Sequence, residues 1–256
     1  MSPLAWREFS YWMRHYRRTW RGTVVISVAN PLLFLTAMGV GLGRLVGPGS
    51  APLHGTPYLQ YLAPGLLAAA SMQTAFVEAG RPVLTAVRPQ GSYRAAVATP
   101  LEPRDVHAGH LLFVAFRLLT SASAFVAVLF CFDGFHTPRT LLLVPAALLT
   151  GLAFAAPIAA WAVGLDGPTP LMSLLRFVLM PLYMFSGTFF TIGQLPAALR
   201  VLARLTPLWH GVDLCRGLAE GTATAGSVLL HTTYLAALAG AGLVAGRRAY
   251  TRRLHG

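Results

Sequence analysis

The chain has 256 residues, 55% of them hydrophobic and only 11% charged. A soluble domain carries about a quarter charged residues, so the deficit excludes an ordinary soluble fold and points to a single integral membrane domain over 1–256. All 20 basic side chains are Arg, and a chain without Lys cannot supply the residue with which a P-loop reaches nucleotide phosphates, so hydrolysis of ATP by this chain is not expected. The formal net charge is +12. Those arginines gather at the ends of apolar runs, which is the signature of membrane topology and not of nucleic-acid binding. The two cysteines, Cys131 and Cys215, lie far apart in or beside apolar stretches and read as small buried hydrophobes. No secretory signal is evident, and the first apolar run is expected to stay as an anchor.

In chain order, residues 3–21 read as an amphipathic helix capped by Ser2, with Pro3 in its first turn. Trp6, Phe9, Met13, Tyr16 and Trp20 share one face, and Arg7, Arg14, Arg18 and Arg21 occupy the other. Aromatic rings opposite arginines suit the plane of a membrane interface, with lipid as the partner. Six apolar runs follow: Thr23 to Leu42, Tyr58 to Ala79, Gly109 to Phe132, Leu141 to Leu165, Pro170 to Phe190 and Gly226 to Ala245. Each has about the twenty residues a membrane helix requires. Pro31, Pro145, Pro157 and Pro181 fall inside runs, so an irregular, kinked bundle is expected. Gly39, Gly43 and Gly47 repeat a small-xxx-small spacing that permits close helix approach.

With the N-terminus inside, the cytoplasmic segments hold thirteen arginines against five outside, which places both termini in the cytoplasm. The segment 81–106 is then a polar cytoplasmic interruption, punctuated by Pro and Gly. Residues 191–225 are too apolar for an ordinary loop and too interrupted for a span. Two short helices dipping from the external surface fit there, broken at Pro207, the second over Val212 to Ala219. The expected fold class is therefore all-α and integral to the membrane. It has six transmembrane helices, an N-terminal interfacial helix and two short re-entrant external helices.

Few residues offer chemistry. Arg117 lies within the third run, where a buried cation is expensive, and Glu78 at the end of the second run is its plausible partner. The pair reads either as functional or as a structural ion pair fixing helix register. His107 and His110 have no further ligands at metal-site spacing, so no metal is expected. Ser186 lacks a G-x-S-x-G context, so no catalytic residue is assigned. Phe76, Phe113, Phe116, Phe177, Tyr183, Phe185 and Phe189 give the spans an aromatic lining, which suits amphipathic cargo better than ions.

Two blocks carry a resemblance: MFSGTFFTIGQLP from Met184 to Pro196, and RLTPLWHGVDLCR from Arg204 to Arg216. They resemble the permeases of ABC type-2 exporters, closest to the nodulation lipo-oligosaccharide exporter subgroup and its antibiotic-exporting relatives. Asn30-Pro31, the glycine stretch Gly39 to Gly47, YLAPG from Tyr61 to Gly65, and Glu78 agree in order along the chain. Thr191 departs from the Pro common in that family. The resemblance implies a cytoplasmic coupling helix between the second and third spans. It also implies assembly of two permease copies, as homodimer or heterodimer, with two ABC ATPase subunits that bind ATP and Mg. No cofactor is expected in this chain. Coupling then falls to Gly91, Ser92, Tyr93, Arg94, Thr99, Pro100 and Leu101, with a short helix from Gly91 to Ala98 stopped before Pro100. Tyr93 and Arg94 are expected to insert into the ATPase. The cargo so implied is a lipo-oligosaccharide, glycolipid or hydrophobic drug leaving across a bacterial cell membrane. The rival classes are an ion-gradient secondary transporter, whose internal repeats are not seen, a membrane-embedded hydrolase, and a membrane subunit that transports nothing.

Overall fold

A computed structural model describes residues 3–37 and 57–255. Ser2, Gly39, Gly43 and Gly47 lie outside the described residues, as do the side chains of Arg21 and Pro31. Helix α1 covers Pro3–Thr36, α2 Tyr58–Ala79, α3 Arg81–Ala86, α4 Ser92–Val97 and α5 Pro103–Leu129. A 3₁₀ turn, Pro138–Leu142, leads into α6, Leu143–Ala162. Then come α7 (Thr169–Leu174), a π-helical turn (Leu175–Leu179) and α8 (Met180–Phe185). Helices α9 (Ala197–Arg204), α10 (Pro207–Glu220) and α11 (Ala225–His255) complete the chain. Among the described residues, α5, the stretch Pro138–Ala162 and α11 are long and apolar enough to cross a membrane.

Several boundaries differ from the sequence reading, each for a local reason. The interfacial helix is not a separate element, because α1 continues unbroken through residue 22. A lone interior Gly costs only about 1 kcal/mol, and no Pro follows it before residue 31. Helix α5 begins at Pro103, ahead of Gly109, because Glu102 and Asp105 form a reciprocal capping box and Pro103 occupies the first turn. Pro207 starts α10 where the sequence reading had it end a helix. Its missing N–H is one the first turn leaves free anyway, and Thr206 Oγ1 accepts from the Trp209 amide at 3.3 Å. Helix α10 ends on Gly221 at φ 72°, the left-handed position that favours glycine. The π-helical turn ends two residues before Pro181, whose ring nitrogen offers no donor to the preceding turn. Cys215 is buried, whereas Cys131 is exposed in the turn after α5.

Helix α6 is the hub, packing on α11, α2, α5 and α10. Ala146, Ala147, Ala155, Ala156 and Ala159 keep its surface thin, so neighbouring backbones approach closely. At Gly242 on α11 a Cβ would sit 2.6 Å from Pro157 Cδ and 2.7 Å from the Ala156 carbonyl carbon. Even Ala there would force α6 and α11 apart. The bundle has two distinct ends. The first residues of α1, the start of α5, α4 and the close of α11 meet at one, shown by Gly109 against Ala5 and Gly246 against His107. The start of α1 and the close of α11 therefore lie together with α4. The loop after α8, α9 and α10 occupy the opposite end, where Tyr58 reaches the Phe189 carbonyl.

Candidate functional site

Helix α4 is a single exposed turn anchored from beneath. Arg94, Ala95 and Ala98 face outward. The chain turns away through Thr99, whose Oγ1 donates to the Ala96 carbonyl at 2.6 Å. Pro100 is exposed and Leu101 packs against the core. Tyr93 points the other way and is 0% exposed. Its ring lies 6.4 Å from Trp12, 6.0 Å from His110 and 5.5 Å from Tyr250, so it touches α1, α5 and α11 together. Trp12 stands edge-on to His110 at 4.6 Å and donates its Nε1 proton to Glu8 Oε1 at 2.8 Å. Burial pushes the Glu8 carboxyl up to about 7, with the Trp12 hydrogen bond partly opposing that rise. The expectation that Tyr93 inserts into a partner is corrected by this burial. In this conformation it is the root of helix α4, and Arg94 is what the helix presents.

Beside this root lies the Glu78–Arg117 pair. Arg117 Nε donates to Glu78 Oε1 at 2.9 Å, and Nη1 donates to the Tyr16 hydroxyl at 3.1 Å. The guanidinium also sits over the Tyr16 ring, 4.5 Å from its centroid. One cation thus ties α5 to α2 and α1. The His110 ring shares the link through Nε2, 3.0 Å from the Glu78 carbonyl. A cleft of about 800 Å³ opens over the pair. Its wall includes Trp12, Tyr16, Phe76 and Phe113, and its rim carries Arg81, Gly91 and Ser92.

At the opposite end Arg216 of α10 does similar work on backbone. Its Nη2 donates to the Gly187 carbonyl at 2.9 Å and its Nε to the Tyr61 carbonyl at 3.3 Å. The guanidinium lies 3.8 Å above the Tyr61 ring, whose hydroxyl donates to the same Gly187 carbonyl at 3.2 Å. Gly187 holds φ 84°, a turn that favours glycine. A Cβ on Gly65 would meet Thr188 Cα at 3.2 Å. The blocks YLAPG, SGT and the one ending at Arg216 are therefore one physical unit, which is why their side chains depend on one another. Nearby, His231 on α11 bridges Asp213 Oδ2 at 3.0 Å and His210 Nδ1 at 2.8 Å.

The sequence model described as ABC-2 type transporter matches residues 4–219. The chain belongs to the ABC-2 type transporter family. It is 30% identical over 237 residues to "Nodulation protein J" of Sinorhizobium fredii, covering 90% of this chain and 87% of that protein. "Nodulation protein J" of Rhizobium leguminosarum bv. trifolii is 30% identical over 228 residues, 86% of this chain and 83% of that one. "Inner membrane transport permease YadH" of Escherichia coli is 24% identical over 240 residues, 91% and 90% of the two chains. This family membership and the long apolar helices make the chain an integral membrane permease.

Within this permease the seven aromatic residues assigned to a cargo path do not form one line. Phe76 and Phe113 face the cleft, and Phe116 packs behind it between Phe9 and Tyr16. Tyr183 and Phe189 pair at 5.0 Å near the opposite end. Phe177 is 78% exposed and Phe185 is also exposed, both on the outer surface of the single chain. The face assigned to lipid on α1 is likewise divided. Trp6 and Trp20 are exposed, whereas Phe9 and Tyr16 dock on α5. Sequence reasoning missed Glu8, Trp12 and Tyr250. The signal available was a lone acid in an otherwise basic helix, one turn before a Trp. It also missed the Arg216 clasp: that residue entered the topology count and closed one of the two resemblance blocks, with no acceptor assigned to it.

Proposed function

We propose that this permease is the membrane-spanning subunit of an ATP-driven exporter, assembled as two copies with two ABC ATPase subunits in a bacterial cell membrane. It carries an amphipathic substrate, of the lipo-oligosaccharide, glycolipid or hydrophobic drug class, out of the cytoplasm or inner leaflet. ATP and Mg belong to the ATPase. The end bearing both termini faces the cytoplasm, the chain crosses six times, and α9 and α10 re-enter from outside. The observation that carries this reading is α4: one exposed turn at the terminal end, with its aromatic root set into α1, α5 and α11.

Such a root lets one contact move three helices. An ATPase that presses on Arg94 and Ala95 differently in its two states shifts the bundle only because those contacts differ in free energy. The Tyr93 ring passes that difference to Trp12 and Tyr250, and His110 relays it to the Glu78 carbonyl and so to the Arg117 pair. Arg94→Ala combined with Ala95→Glu is expected to leave membrane insertion intact while abolishing ATP-dependent export and co-purification of the ATPase. Tyr93→Ala is expected to keep the ATPase bound but uncouple its turnover from transport. Unchanged export together with unchanged co-purification in the first variant would overturn the reading.

A further inference from the structure

The cleft over the Glu78–Arg117 pair has a chemistry of its own. Its volume, about 800 Å³, is that of a site for a small ligand and exceeds what a packing defect leaves. The aromatic walls include Trp12, Tyr16, Phe76 and Phe113 from three helices, with Tyr11 and His15 of α1 beside them. Two arginines face one carboxylate, so the lining carries a net positive charge. Arg117 spends Nε on Glu78 and Nη1 on Tyr16, whereas Arg81 at the rim is exposed and pairs with no carboxylate among the described residues. The cleft also continues onto exposed apolar side chains, Val77 at 61% and Met172 at 41% exposure. A soluble anion has no use for that apolar shoulder. An acyl chain does.

We infer that this cleft receives the headgroup of a lipid-anchored amphiphile carrying a sugar-like or aromatic ring and a single phosphate or carboxylate. The anion is read by Arg81, the ring by the aromatic walls, and the tail lies across Val77 and Met172. The guanidinium fork suits a planar or tetrahedral oxyanion, and the ring faces suit stacking. This assignment rests on the exporter reading only for calling the ligand cargo. The binding chemistry stands without it.

The test is titration of the purified full-length chain with defined lipids, read by native mass spectrometry from a mild neutral detergent. The probes are phosphatidylinositol, with ring and phosphate, phosphatidylglycerol, with phosphate but no ring, and phosphatidylcholine. Soluble inositol 1-phosphate serves as competitor. Phosphatidylinositol is expected to bind about tenfold more tightly than phosphatidylcholine, the size of one charge-assisted contact, with phosphatidylglycerol between them. Arg81→Gln is expected to erase most of that preference, while Arg88→Gln, exposed and outside the cleft, leaves it intact. Both positions are on the surface, so both variants fold, and an unchanged elution profile checks this. Equal binding of the three lipids, or an equal effect of the two substitutions, overturns the site. Full competition by inositol 1-phosphate at the same concentration overturns its amphiphile class. The titration uses no ATPase, so the two readings fail separately. Lipid selectivity without ATP-dependent export sinks the exporter, and export without selectivity sinks this cleft.

Discussion

Each end of the bundle holds an arginine over a tyrosine ring, and the two are built for different tasks. Arg117 rests on Tyr16 and takes a carboxylate and a phenol as hydrogen-bond acceptors, both of them side chains from other helices. Arg216 rests on Tyr61 and takes two main-chain carbonyls. Side-chain acceptors can rotate away and be replaced by another anion. Carbonyls of a fixed turn cannot. The first arrangement is a joint between helices beside a cleft, and the second a clamp that gives the turn around Gly187 its shape. Where a bundle must move on one end and hold a loop on the other, the same residue pair serves both by changing only what accepts its protons.

The largest effect is expected from breaking the joint on one side. The Glu78 and Arg117 side chains are only 17% and 5% exposed. Arg117→Met leaves the carboxylate largely out of water with no cation, which costs about 3–5 kcal/mol in comparable buried pairs. Adding Glu78→Gln should recover most of that loss, because the orphaned charge goes with it. Thermal unfolding of the purified chain in detergent checks both, and a double variant as unstable as the single would break the joint interpretation. The clamp should respond less. Arg216→Met leaves the Gly187 carbonyl with the Tyr61 hydroxyl as donor, so about 1–3 kcal/mol is expected from the Tyr61 carbonyl and the lost stacking. Its distinguishing sign is local. Protease cleavage between 186 and 196 should rise well before the bundle melts, and Arg216→Lys should rescue little, lacking the planar fork.

How much of this was legible beforehand follows the same divide. Helix α2 begins at Tyr58 and ends at Ala79, as its apolar run does, because Pro57 precedes one end and Gly80 follows the other. Helix α4 was legible to within a residue at each end because Gly91 and Pro100 punctuate it. Which way Tyr93 faces was not legible. In a six-residue helix no periodicity distinguishes a root from an anchor, and only Trp12, His110 and Tyr250, far away in sequence, decide it. The Arg216 clasp was hidden for a related reason: its acceptors are backbone, and backbone carbonyls leave no residue-type signature. The continuity of α1 was hidden by a change in composition near residue 22, which marks a change of solvent and not of backbone.

Glu8 gives the sharpest distinction between the ends, since its carboxyl changes charge near neutral pH. Its carboxyl is held up to about 7 by burial, against an ordinary value of 4.5. A raised carboxyl favours the folded state while protonated. Its contribution is therefore whole below pH 4.5, declines as pH rises, and is gone above pH 7, where both folded and unfolded chains are ionised. The difference is on the order of 2 kcal/mol after allowing for partial solvent access. Glu8→Gln keeps an acceptor for the Trp12 indole and removes the ionisation. The variant should match the parent near pH 5, melt higher than the parent at pH 8, and show a flatter melting profile between them. If parent and variant fall together with pH, Glu8 is ionised at its ordinary value, and the terminal end has no titrating joint to set against the fixed clamp at the other.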